Sequence, residues 1–477
     1  MSEPWRHSLL RSPIVAVATG AVLAVVLACM PPPKDGVRGI EPYLEGPADY
    51  EAGWRGQPIE EALARRNAEL MDEPLDMDAA VELGLLNHPG LRGDLIEIDI
   101  AEPLLRQRTA IRNPEFETDI FFSIDRRRAE RVESGLRLDI TSIFDRAARV
   151  RAVTAQLESI RARAAGRIVD FITDVRRAWI ETVAAIERRD RHRDYFAAAE
   201  DLVEEALAGR EADQIGDDEL NRLRVEATEA QLTLSRAEQQ AQRYRRHLHE
   251  LLGIDVDEHN WSLPARLPSA PDELSHELSD ARELSTAAMA RSTDLASLEH
   301  RDSELQERIS VSQWRGWVPR LELGAAGQWE PQPRPYVEWD LDEWDIGPSI
   351  RLGLPLFDRQ QELRDSLRSE RIQVDFDARQ LQRNIEFAAQ QVGDDLDTAQ
   401  RAARDYESEL LPLRRQIADE ARRQYDDRAI SAVELFDARS RQLHAELEFI
   451  DIRREYWQVR ADFDHLLAGG SPLSVGD

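Results

Sequence analysis

Between Asp145 and Leu252 the chain contains no proline. Proline is the residue that most reliably ends a helix from within, and helical spacing of apolar residues fills this stretch. The pattern predicts one very long helix, an interruption around Gly209 to Gly216, and a shorter helix returning alongside it. A second long helical stretch runs from Phe357 to about Tyr425, and a last helix from Ser431 to Leu467. At ~1.5 Å per residue, Phe357 to Arg423 would span about 100 Å. No compact domain is that wide, so such helices must project as a rod or tube.

Leu367, Val374, Ala378, Leu381, Ile385, Ala388, Val392 and Ala399 step by sevens, fours and threes. That is a heptad-like seam for helix-on-helix packing. A plain soluble coiled coil would explain these stretches equally well. Composition agrees with either: charged residues make up 32% and aromatics 6%, a bias toward long helices. The net charge of −30 disfavours nucleic acid as a partner, because phosphates would be repelled. It fits both simple solubility and an acidic conduit that favours cations.

Four short stretches have a different period. From Glu115 to Asp125, Phe116, Thr118, Ile120, Phe122 and Ile124 alternate with Glu117, Asp119 and Ser123, and only Phe121 breaks the polar side. After Arg126 to Glu130, Val132, Leu136, Leu138 and Ile140 alternate with Arg131, Glu133, Arg137 and Asp139. A period of two predicts strands with one apolar and one polar face. Further on, Leu321, Leu323, Ala325 and Trp329 alternate with Glu322, Gln328 and Glu330. A loop from Pro331 to Glu343 follows. Trp344, Ile346, Ile350, Leu352 and Leu354 then alternate with Asp345, Ser349 and Arg351.

Each strand has about ten residues, the ~9–11 that a tilted membrane strand needs. Alternation of this kind suits a barrel wall between lipid and water. Open sheet edges cannot face lipid, so four strands around a water-filled pore require several chains to pool them. The competing reading is a small soluble sheet packed on helices.

The order of elements also repeats. Asn113-Pro114 answers Val318-Pro319, and Ile143-Phe144-Asp145 answers Leu356-Phe357-Asp358, with a slightly longer second hairpin. The chain is a duplication of helix, hairpin, long helix and helix. Residues 29–73 and 254–271 read as linkers, the second following Leu251-Leu252-Gly253, and 469–477 as a C-terminal tail.

The N-terminus resembles an export signal. Arg6 and Arg11 precede an uncharged apolar run, Ile14 to Ala28, which is short for a membrane helix of roughly 20 residues. It ends in Val26-Leu27-Ala28-Cys29, which resembles a lipobox, with Met30 and three prolines after it. Cleavage of residues 1–28 would leave Cys29 as a diacylated N-terminus; an ordinary cleaved signal or an uncleaved anchor are the rivals. The absence of Asp after the cysteine favours the outer membrane.

Gly347-Pro348-Ser349-Ile350-Arg351-Leu352-Gly353-Leu354-Pro355-Leu356-Phe357-Asp358 resembles the strand-to-helix signature of the TolC-like outer-membrane efflux proteins. Thr141-Ser142-Ile143-Phe144-Asp145 is its first-repeat counterpart without the proline, and Pro74 to Leu91 also resembles a family pattern. The likeness makes 74–253 and 272–468 two efflux repeats, with strands at about 115–125, 131–141, 320–330 and 344–356. It implies a mainly α fold with transmembrane β-hairpins. As a homotrimer it would form a twelve-stranded barrel continued by an α-helical tunnel. Partners implied are outer-membrane lipid, a periplasmic adaptor (membrane fusion protein) and an inner-membrane pump. Asn113-Pro114-Glu115-Phe116-Glu117 and Pro355-Leu356-Phe357-Asp358-Arg359-Gln360 look closest to the heavy-metal-efflux branch.

The resemblance further implies acidic side chains ringing the pore at the periplasmic tip. The matching positions are Glu434 and Asp437, in Ala432-Val433-Glu434-Leu435-Phe436-Asp437-Ala438. Family gates often carry Asp where Glu434 stands. Three copies of each carboxylate would attract cations. Alternatively, both are solvated residues in the first turn of a helix, where carboxylates suit the helix dipole. Asp426, Asp427 and Arg428 share that turn, and Gln214 to Leu220 is its first-repeat counterpart.

Nothing points to catalysis or to a cofactor. The sequence has no Gly-rich phosphate loop, metal-hydrolase His pair or nucleophile elbow. His247 and His249 lie two apart on a helix, do not share a face, and read as surface residues. Cys29 and Lys34 are the only cysteine and lysine, so disulfides, thiol chemistry and Schiff bases have no candidates in the body. The alternative to a passive duct is a structural coiled-coil lipoprotein with no pore.

Overall fold

A computed structural model describes residues 36–43, 59–122, 129–211, 216–254, 261–271, 281–329 and 344–472. Cys29 and the segment expected to be an export signal lie outside the described residues, as do 123–128, 212–215 and 330–343. After a short turn of 3-10 helix at Gly36–Tyr43 come α1 (Ile59–Leu70), α2 (Met77–Asn87) and α3 (Pro89–Thr109). The first hairpin follows, β1 (Glu115–Phe122) and β2 (Ala129–Asp139). A single turn, α4 (Thr141–Phe144), leads into α5 (Arg146–Glu211), which is 66 residues long, and then α6 (Asp217–Leu252). The second half runs α7 (Ala281–Arg291), α8 (Thr293–Arg315), β3 (Leu321–Trp329), β4 (Trp344–Leu352) and α9 (Gln361–Asp405). It closes with α10 (Leu411–Asp426) and α11 (Ala432–Leu467).

The long helices follow the periodic runs, with three departures. Helix begins at Gln361 and not at Phe357, because residues 353–360 form an irregular turn. There Gln360 N donates to the Asp358 carboxylate at 2.7 Å, and Gln360 takes a left-handed φ of 57°. The stretch through Tyr425 is broken by one π-helical turn, Tyr406–Leu410. Pro412 has no N–H to donate and would press on the preceding turn; widening that turn accommodates it, and Leu411 N bonds back to Tyr406 O. The helical stretch that leads to β3 is interrupted at Ser292, between α7 and α8. The Ser292 hydroxyl accepts from Leu295 N at 3.3 Å, and Thr293 N donates to Gly469 O at 3.1 Å.

Two compact units result. One gathers Glu97–Arg161 and Ser297–Ala378, which include all four strands. They form one antiparallel sheet in the order β1-β2-β3-β4. Partners such as Ile120↔Val132, Leu136↔Ala325 and Leu323↔Ile350 fix the register. Gly324 sits where a side chain cannot: a Cβ there would lie 2.1 Å from Leu136 O.

The other unit gathers Ile40–Ile96, Ala162–Ala296 and Arg379–Asp477. Its core holds Leu75, Leu83, Ile180, Leu248 and Leu252, all essentially sealed from solvent. Asp76 starts α2 by accepting from Ala79 N, and Trp179 Nε1 donates to Leu75 O at 2.9 Å. Gly253 ends α6 at φ 64°, with its Cα close against the Asn87 backbone, a conformation and a space that suit only glycine. The predicted seam from Leu367 to Ala399 marks the more buried line of α9, with Leu367, Ile385 and Ala399 buried outright.

Candidate functional site

The sheet has two chemically distinct faces. Register places Phe116, Ile120, Val132, Leu136, Leu323 and Ile350 on one side, with Ile346 and Leu352 completing it. A soluble protein would cover such a surface. Here Phe116 is 71% exposed, Ile346 75% and Ile350 72%. A contiguous apolar face of that extent is a site of interaction and not ordinary surface.

The opposite face is polar and cross-linked. Arg137 pairs with Glu117 across β1 and β2, and Arg131 with Glu133 within β2. Arg131 also donates to Gln328 on β3 at 3.3 Å. Glu322 takes Arg320 at 2.5 Å and Arg351 at 3.6 Å. Cross-strand pairs of this kind fix register as well as charge. Within the described residues, the outer edges of β1 and β4 have no strand beside them.

The duplicated Phe-Asp signature plays two different roles. In the first repeat Asp145 is fully buried and holds Arg149 at 2.8 Å and Arg315 at 2.6 Å, so it ties α5 to the end of α8. In the second, Asp358 is exposed and only closes its own turn. Both copies stand out in the sequence, whereas the arginines do not, one of them lying 170 residues from Asp145.

In the other unit, Glu434 and Asp437 stand on the first turns of α11. Leu435 and Phe436 from the same turns are buried in a cluster with Leu202, Ala206, Leu220 and Leu223. The ring of Tyr195 meets Phe436 at 5.3 Å. This packing brings the C-terminal end of α5 and the start of α6 against the start of α11 and turns the two carboxylates to solvent. Glu434 forms a capping box: its carboxylate accepts from Ser431 N at 2.8 Å, while Ser431 Oγ accepts from Glu434 N at 3.2 Å. Ser431 N, together with Ser431 Oγ at 3.1 Å, donates to this carboxylate and holds it below the usual carboxylate range. Asp437 lies 3.6 Å from Arg441, one helical turn on. Arg428, in the preceding turn, adopts a left-handed φ of 59°. On the first-repeat side, Arg210 and Asp217 pair at 2.6 Å.

The two histidines part company. His247 is exposed, 3.9 Å from Glu250, whereas His249 is half-buried and stacked on Trp261. Among the described residues, no group of His, Cys, Asp and Glu is placed to hold a metal ion. No helix of the described residues is long and apolar enough to cross a membrane.

No family model and no curated protein matches the chain. Solved structures do match. The outer-membrane channel OprN superposes with a TM-score of 0.64 at 17% identity, covering 90% of this chain and 96% of its own. CusC, whose structures concern transmembrane channel formation, gives 0.65 at 14% identity, over 83% and 92%. The Campylobacter jejuni CmeC outer membrane channel gives 0.61 at 16% identity, over 84% and 87%. The chain has the TolC-like outer-membrane channel fold. Coverage on both sides extends the likeness of fold across most of the chain. At this identity the likeness is one of fold, and the residues at 434 and 437 gain no role from it.

Proposed function

We propose that this chain is one subunit of a passive outer-membrane duct, through which small molecules or metal ions leave the cell. The observation that carries the reading is the exposed apolar face of the four-stranded sheet. In water that face would be a standing cost; in lipid it is the surface a barrel needs. The edges of β1 and β4, unpaired among the described residues, support pooling of strands between copies, since closure removes edges. Three copies would give a twelve-stranded barrel continued by a helical tunnel.

In this reading Cys29 carries a lipid that anchors the chain, and the barrel does the spanning. Glu434 and Asp437 ring the periplasmic end and favour cations. The same end docks a periplasmic adaptor and, through it, an inner-membrane pump. A pore-free coiled-coil lipoprotein has no use for a lipid-facing sheet, and no observation favours it.

The test is paired. The protein extracted in detergent should migrate on unboiled gels as a stable oligomer that heat converts to monomer. The same preparation should open ion channels in planar bilayers. A heat-insensitive monomer that conducts nothing would leave only the scaffold.

A further inference from the structure

The unit that contains the sheet also holds a cavity of about 380 Å³ between its helices. Arg108, Arg149, Arg301, Arg308 and Arg315 line it, and Glu304 is the one carboxylate among the described lining residues. In a chain of net charge −30, five guanidinium groups around one cavity run against the overall composition.

Their internal partners do not use them up. Buried Asp145 takes Arg149 and Arg315. Glu304, whose side chain is 4% exposed, takes Arg301 at 2.6 Å and Arg308 at 3.4 Å, and Glu370 reaches Arg301 at 3.3 Å. Three carboxylates thus face five arginines. Arg315 meets Asp145 through Nε, and its terminal nitrogens have no partner among the described residues. The exposed Arg108 side chain has none either; only its backbone carbonyl is used, by Arg149. Planar guanidinium forks match phosphate oxygens two at a time. Ser312 and Gln360 add neutral polar groups to the wall, and Val153, Leu363 and Leu367 add an apolar side.

The surroundings point the same way. Phe144 precedes Asp145, and Trp314 and Trp317 flank Arg315. Phe144 is 62% and Trp317 75% exposed, and the Phe144 and Trp314 rings lie 5.9 Å apart. Exposed aromatics bordering a lipid-facing sheet are what the membrane–water interface selects, and that is the level of phosphates. Basic pockets at that level bind anionic headgroups.

We infer that this cavity is a binding site for a phosphate-bearing anion, gripped by Arg108, Arg308 and Arg315. A lipid as the source rests on the outer-membrane reading above; a soluble phosphate does not.

The experiment uses the full-length oligomer in detergent. Native mass spectrometry with phosphatidylglycerol and with phosphatidylcholine forms one arm, and calorimetric titration with inorganic phosphate the other. Arg108→Gln and Arg108→Gln/Arg308→Gln are compared with the parent; the exposed Arg108 side chain holds none of the described residues, so the single variant keeps its structure. Phosphatidylglycerol should be retained at least about tenfold better than phosphatidylcholine, with the double variant losing that preference, if the source is lipid. Phosphate binding weakened by the variants, without lipid preference, would identify a soluble anion. Absence of both, or binding that the variants leave unchanged, overturns the site. Conductance of the same preparation is scored separately: a conducting protein without anion binding loses this inference alone, and a phosphate-binding protein without conductance loses only the duct.

Discussion

Arg453 and Glu187 face each other at 2.6 Å with each side chain only 6% exposed, a buried ion pair between α11 and α5. The pair also clamps the connecting segment: Arg453 donates to Leu267 O at 2.7 Å, and Glu187 accepts from Leu267 N at 3.3 Å. Removing one member of a buried pair strands a charge and costs about 3–5 kcal/mol, whereas replacing both with apolar groups is often neutral. Glu187→Leu should therefore lower the denaturation midpoint sharply. Glu187→Leu combined with Arg453→Met should recover most of the loss. An unchanged midpoint in the single variant would show that water reaches the pair.

Gly324 offers a second stability test with a built-in control. A methyl group there would collide with Leu136 O on the neighbouring strand, whereas nothing lies within 4 Å of a Cβ at Gly347. Gly324→Ala should force β2 and β3 apart and lower the temperature at which the oligomer dissociates on gels. Gly347→Ala should leave that temperature where it was. Equal behaviour of the two would mean that the strands have more slack than their register implies.

The strands were legible in the sequence because the two faces of the sheet differ in chemistry, Phe116, Ile120 and Ile350 on one and Glu117 and Arg351 on the other. The long helices were legible because proline is absent from Asp145 to Leu252. Breaks made by distant parts of the chain were not. The interruption at Ser292 depends on Gly469 O, which sequence spacing cannot bring near. Pro412 was visible, but not that a single π turn would accommodate it. The carboxylates at 434 and 437 were legible as residues, yet the capping box shows that Glu434 already serves its own helix. Asp145 was visible as half of a repeat, while its grip on Arg315 exists only in three dimensions.

Charge placed on the apolar face should be far less tolerated than charge on the polar one. An arginine on the lipid side of a barrel costs about 2–4 kcal/mol near mid-membrane and falls toward zero at the interfaces. Ile350→Arg replaces a residue that is 72% exposed on the apolar side. Ser349→Arg, its neighbour, joins the polar side beside Arg351 and Glu322. Membrane-fraction yield of the folded oligomer should fall for Ile350→Arg and hold for Ser349→Arg. Equal yields would contradict a lipid-facing sheet.

The gate proposal can be separated from the capping role of Glu434 by pH. If Glu434 and Asp437 ring the pore, Glu434→Gln with Asp437→Asn should move the reversal potential in a salt gradient toward the nonselective value. Ser431 holds the Glu434 carboxyl below the ordinary carboxylate range. A depressed value means the charge, and the stability it lends the helix start, are present above the unfolded value and lost only as pH falls through the lower folded one. Cation preference in the parent should therefore persist on acidification past the pH at which a free glutamate is protonated. Ser431→Ala removes the hydroxyl that both caps α11 and holds that carboxylate, so its loss of preference should begin at higher pH. A reversal potential indifferent to the double substitution would leave Glu434 as a helix cap and nothing more.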